Sequence, residues 1–259
     1  MSAHAASFSL GAGPDACLLL HGLTGAPSEV RPVGEALSRA GIRSFAPVLP
    51  GHGTRPEDLL GVTRDDMRDA AASALRSLAG ARQVFVVGLS MGALLAVDLA
   101  ARSRSRQGIP AVSRLVLCAP AVQLRGLARL FTAVVGRMPR LPLLSAKPAR
   151  TQPEVPAEAV EGPLRADGSY AQVPLPWGRE LRLLSSETLQ LAGRVRCPAL
   201  LLHGARDRTA GLSGARRLAA ALGSTSISLR VLPESGHLLP IDVEGPQVCE
   251  SIVSFLQGS

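Results

Sequence analysis

The sequence predicts an α/β fold, a doubly wound, mostly parallel sheet with an inserted cap, and three observations lead there. Short, continuously apolar runs recur along the chain, among them Val84-Phe85-Val86-Val87 and Ala199-Leu200-Leu201-Leu202. Parallel strands buried on both faces have this composition. Segments with apolar residues three and four apart alternate with these runs, the pattern of helices that cover a sheet. Between residues 121 and 195 the alternation breaks. A chain of 259 residues, 46% of them hydrophobic, has enough apolar surface for one two-sided core with room for an insertion.

In chain order, Phe8 to Leu10 is read as a short antiparallel edge strand. Strands then follow at Cys17 to Leu20, Arg43 to Ala46, Val84 to Val87, Leu115 to Cys118, Ala199 to Leu202 and Ile227 to Leu232. Helical spacing falls between them at Ser28 to Arg39, Thr63 to Leu78, Met91 to Arg102, Ser213 to Ala221 and Pro246 to Leu256. Thr63 and Asp66 have the spacing of a capping box, in which each side chain bonds the other's backbone N–H. The core is thus 1–120 and 196–259, with 121–195 as the cap. Within the cap, Leu124 to Val135 and Arg179 to Gln190 have helical spacing, and a run of prolines from Pro139 to Pro163 prevents one long element. The chain's only tyrosine and only tryptophan, Tyr170 and Trp177, are here.

The most informative motif is Gly88-Leu89-Ser90-Met91-Gly92, which joins a predicted strand to a predicted helix. A turn this sharp brings strand and helix together, and a side chain two residues either side of Ser90 would clash. The turn lifts the hydroxyl clear of the sheet, where the helix N-terminus favours negative charge. Such a hydroxyl is inert without a base, an orienting acid and an oxyanion site. His237, in Ser235-Gly236-His237, supplies the base, and Asp207, in His203-Gly204-Ala205-Arg206-Asp207, supplies the acid. Each follows a predicted strand. Asp242 is the alternative acid, but it lies past the strand-end position. Leu18-Leu19-Leu20-His21-Gly22-Leu23-Thr24-Gly25 is the third motif, with glycines that let a backbone N–H face a substrate carbonyl. His21 is read as a brace for this loop and His203 as a packed core histidine. His52, in a glycine-flanked loop, is read as structural, with a place in the pocket as the alternative.

With Leu49-Pro50-Gly51-His52-Gly53-Thr54, these segments cover most of the chain. In that order they resemble α/β-hydrolases of the carboxylesterase and monoacylglycerol-lipase type. The resemblance implies the α/β-hydrolase fold, a Ser90–His237–Asp207 triad, and an oxyanion hole made by the N–H groups of Leu23 and Met91. It also implies cleavage of short- or medium-chain carboxylic esters or monoacylglycerols through an acyl-enzyme. Such proteins often carry an aromatic at the position of Leu23 and a valine soon after the acid, where this chain has Thr209-Ala210-Gly211; the triad is unaffected. An amidase, thioesterase or acyltransferase on the same fold is the alternative, and a non-catalytic ligand-binding protein is the reading of another class. In the cap, Leu127, Phe131 and Val134 recur on one helical face, and with Trp177 they are the expected acyl-chain contacts.

Composition narrows the field further. The formal charge of +8 comes from arginines spread along the chain, and with aromatics at 3% there is no base-stacking platform, so nucleic acid is not an expected partner. Attraction to an anionic surface or substrate fits the charge better. No run reaches the roughly 18 apolar residues of a membrane span, and Met1 to Leu10 lacks the pattern of a secretory signal. The expected location is the cytoplasm. Cys17, Cys118, Cys197 and Cys249 have no pairing or metal spacing and are read as reduced core thiols. The expected chemistry needs no metal and no cofactor, only a small, lipid-like ester. Oligomeric state is not legible.

Overall fold

The computed structural model describes residues 5–103, 108–125, 144–146 and 168–258. Among them a seven-stranded sheet is built from β1 (Phe8–Leu10), β2 (Ala16–Leu20), β3 (Arg43–Ala46), β4 (Val84–Leu89), β5 (Val112–Cys118), β8 (Ala199–Gly204) and β9 (Ile227–Leu232). The spatial order is β1-β3-β2-β4-β5-β8-β9, and every pairing is parallel except β1 with β3. A separate antiparallel ribbon pairs β6 (Leu144–Ala146) with β7 (Gln172–Pro174).

Alternate residues of each central strand enter different cores, which is why the strands read as unbroken apolar runs. Leu18, Leu20, Val86, Leu115, Leu117 and Leu201 face one core. It is filled by α2 (Arg64–Arg76), α3 (Met91–Arg102) and α4 (Pro176–Leu191). Cys17, Leu19, Phe85, Val87, Val116 and Leu200 face the other, which α1 (Arg31–Arg39) and α6 (Gly245–Gln257) cover. The helix α5 (Leu212–Ala221) packs by β8 and β9 at the edge. All four cysteines are buried, and none forms a disulfide.

The predicted core elements and the predicted helix at Arg179 to Gln190 are present with shifted ends. Residues 27–30 form a separate 3-10 turn, and α1 proper starts at Arg31. The strand β5 begins at Val112, three residues early, because Arg114 still pairs with Phe85 despite its polarity. Thr63 and Asp66 form the expected capping box on α2. Leu124, expected to open a cap helix, instead pairs with Ala210 in an isolated bridge, and the rest of that expected helix lies outside the described residues. Among the described residues, no helix is long and apolar enough to cross a membrane, and no cluster of His, Cys, Asp and Glu could hold a metal.

The site is positioned by the strand order. From β2 the chain crosses to β3 on one side, then returns past β2 to β4 on the other. The carboxyl ends of β2 and β4 therefore diverge at a topological switch point, where open α/β sheets hold their ligands. His21 follows β2 there and Ser90 follows β4.

Candidate active site

Ser90 has a positive φ, 57°, with ψ −112°, outside the regions that side-chain-bearing residues ordinarily occupy. A non-glycine residue held so costs about 1–3 kcal/mol and persists only where its surroundings fix it. Here the Ser90 N–H donates to the Cys118 carbonyl (2.9 Å), and the Ser90 carbonyl accepts from Ala121 and Ala93. The flanking glycines are required sterically. A Cβ on Gly88 would lie 2.2 Å from the Gly92 carbonyl oxygen, and one on Gly92 would lie 2.2 Å from that of Leu20.

The three residues expected to act together meet. His237 Nε2 lies 2.9 Å from Ser90 Oγ, and His237 Nδ1 donates to Asp207 Oδ2 at 2.7 Å. Asp207 Oδ1 accepts from the N–H groups of Thr209 (2.7 Å) and Ala210 (2.8 Å). Burial alone would push the Asp207 carboxyl up. The His237 ring and the two N–H groups outweigh it, and the pKa is held below the usual 3.8. The acid is therefore ionised at neutral pH. It is almost fully buried, and Ser90 keeps 9% exposure.

Gly22 packs on Ser90, since a Cβ there would lie 3.4 Å from Ser90 Cβ. This sets the His21–Thr24 loop against Ser90, with Leu23 at its tip. Met91 is the first residue of α3, so its N–H has no partner within the helix. The three histidines that the sequence marked as structural, His21, His52 and His203, are all buried. His203 Nε2 reaches the Ala210 carbonyl (3.3 Å), and burial lowers its pKa. His237 Nδ1 bonds Asp207, while the Asp242 carboxylate accepts from the N–H groups of Gly236 and Val243 and so shapes the loop that carries the histidine.

Of the expected acyl contacts, Leu127, Phe131 and Val134 lie outside the described residues. Trp177 is fully buried, and its indole N–H donates to the Leu59 carbonyl (3.1 Å). It ties α4 to the loop that carries Leu59. One necessary residue went unread. A Cβ on Gly204 would lie 2.1 Å from the Gly236 carbonyl oxygen, so this glycine admits the His237 loop. The signal was present in His203-Gly204, which repeats the strand-end His-Gly of His21-Gly22.

The family described as serine aminopeptidase S33 matches residues 14–244. The chain is 30% identical to a thermostable monoacylglycerol lipase of Bacillus sp. (strain H-257) over 247 residues, covering 94% of this chain and 90% of that one. It is 22% identical to a carboxylesterase of Bacillus subtilis (strain 168), covering 96% and 95%. Among solved structures, a metagenome-derived lipolytic enzyme of the LipS and LipT work superposes with a TM-score of 0.85 at 24% identity, covering both chains fully. The monoacylglycerol lipase of Paleococcus ferrophilus superposes with a TM-score of 0.78 at 20% identity, covering 96% and 97%. The fold is the α/β-hydrolase fold, and the chain belongs to the serine aminopeptidase S33 family of hydrolases.

Proposed function

We propose that the chain is a serine hydrolase of carboxylic esters, with Ser90 as nucleophile, His237 as general base and acid, and Asp207 as the orienting acid. The observation that carries this reading is the unbroken hydrogen-bonded chain from Ser90 Oγ through His237 to Asp207. Ser90 Oγ attacks the ester carbonyl as His237 Nε2 takes its proton. Asp207 fixes the tautomer and stabilises the imidazolium. The N–H groups of Leu23 and Met91 stabilise the tetrahedral oxyanion. His237 then protonates the departing alcohol, and water, deprotonated by the same ring, cleaves the acyl-enzyme.

The proposed substrates are short- or medium-chain esters or monoacylglycerols, supported by the likeness to a monoacylglycerol lipase over nearly the whole chain. Residues 121–195 are assigned to a cap over the site, and the cytoplasm to the protein, in keeping with four buried cysteines that form no disulfide. The family's description favours a second reading, amide cleavage. A panel of p-nitrophenyl esters of graded acyl length, with matched anilides and thioesters, separates them. A pocket that buries the acyl chain raises kcat/KM about fourfold per methylene until it is full. Esters should turn over faster than their anilides at every length. Faster cleavage of the anilides would replace the ester reading with an amidase.

A further inference from the structure

We propose that His21 and His52 form a reciprocal clasp between two loops, and that His52, with Tyr170 seated beside it, is a positioning residue for the Leu23 N–H. The inference rests on the role given to Ser90 and Leu23 above. The loops leave neighbouring parallel strands, β2 and β3. Each lends a histidine to the other's main chain. The Leu49 N–H donates to His21 Nε2 (3.2 Å), and the Thr24 N–H donates to His52 Nε2 (3.0 Å). The rings meet edge to face with centroids 4.8 Å apart. Each ring also anchors on its own loop, with Nδ1 donating to the Gly22 carbonyl (2.9 Å) in one case and the Pro50 carbonyl (2.9 Å) in the other. A carbonyl only accepts, so both rings carry their proton on Nδ1 and present the Nε2 lone pair across the gap.

The clasp closes on a strained residue. Thr24 has φ 60°, costly for a β-branched side chain. Its N–H is held by His52 and its carbonyl accepts from the Tyr170 N–H (2.8 Å). The Tyr170 hydroxyl donates to the Gly51 carbonyl (2.8 Å) and accepts from the Thr54 N–H (3.0 Å), and the phenol ring lies within 7° of parallel to His52. Thr24 is thus held through both of its flanking peptides, which sets the direction of the N–H of the residue before it, Leu23. At 3% exposure, His52 is placed to act through the loop rather than on a reactant.

The test uses wild type, His52→Ala, His52→Gln and Tyr170→Phe. An alkyl phosphonate counts competent Ser90, and kcat is expressed per titrated site. Affinity for an alkyl trifluoromethyl ketone, whose Ser90 adduct carries a tetrahedral oxyanion, reads the hole itself. His52→Ala should lower kcat per site on the order of ten- to a hundredfold, with KM within about threefold, and weaken the ketone by the same factor as kcat/KM. A glutamine can accept from Thr24 and donate to Pro50, so His52→Gln should restore most of the loss. Tyr170→Phe should cost roughly three- to tenfold in both kcat per site and ketone affinity, and it decides the matter if His52→Ala does not fold. Unchanged kcat per site and ketone affinity in the folded variants overturn the inference alone. A wild type that is not phosphonylated at Ser90 overturns the ester-hydrolase reading and this inference together.

Discussion

At the scale of single residues, the site depends on positions where one atom more would be too many. Gly204 is the clearest case, because a methyl there would enter the main chain at Ser235 and Gly236. Gly204→Ala should fold around a displaced His237 and lose turnover on the order of a hundredfold, the usual result of misplacing a catalytic group by about 1 Å. A variant with wild-type kcat would show that the loop yields freely. The two candidate acids separate in the same way. Asp207→Asn should lower kcat by roughly 10⁴, because the amide favours the wrong imidazole tautomer. Asp242→Asn should stay within about tenfold, since the Asp242 carboxylate accepts from the N–H groups of Gly236 and Val243, contacts an amide oxygen can keep. Opposite results would make Asp242 the orienting acid. Triad residues were legible because each follows a strand within a glycine-marked motif. The clasp was not, because His21 with Leu49 and Thr24 with His52 each lie 28 residues apart and meet only once β2 and β3 pair.

At the scale of elements, α4 is tied to the core by a charged network. Arg64 on α2 reaches Glu180 (2.9 Å) and Glu187 (3.2 Å) on α4, while Arg68 reaches Glu187 and Asp98 of α3 (3.2 Å). Glu180 is almost wholly buried, so its removal leaves the Arg64 guanidinium short of a partner in a poorly solvated place. Glu180→Leu should destabilise the fold by about 1–3 kcal/mol, read as a lowered urea midpoint. An unchanged midpoint would mean that Glu187 alone suffices. Strands were legible because burial on both faces leaves a continuous apolar run. Their ends were not, since polar residues such as Arg114 continue a ladder whose bonds belong to the backbone. The ribbon β6–β7 left no trace, because three-residue strands are too short for a period and β7 ends at Pro174.

At the scale of the whole molecule, the strand order brings distant motifs to one crevice, and the same burial makes stability depend on pH. Burial lowers the pKa of both His21 and His203 from the ordinary 6.5. The unfolded chain therefore binds more protons below that value, so stability is full above about pH 6.5 and falls as pH drops through this range. Asp207, held low, adds a further loss only nearer its own acidic range. The urea midpoint should be lower at pH 5.5 than at pH 7.5, and His203→Gln should flatten that slope. An unchanged slope would remove His203 from this account. The central claim, that Ser90 carries the acyl group, is tested most directly by acid quench during turnover of a p-nitrophenyl ester, followed by mass analysis of the Ser90 peptide. The account predicts a burst of p-nitrophenol near one equivalent per competent site, with the acyl mass on Ser90. Turnover with no acyl mass on Ser90, or Ser90→Ala retaining wild-type activity, would contradict it.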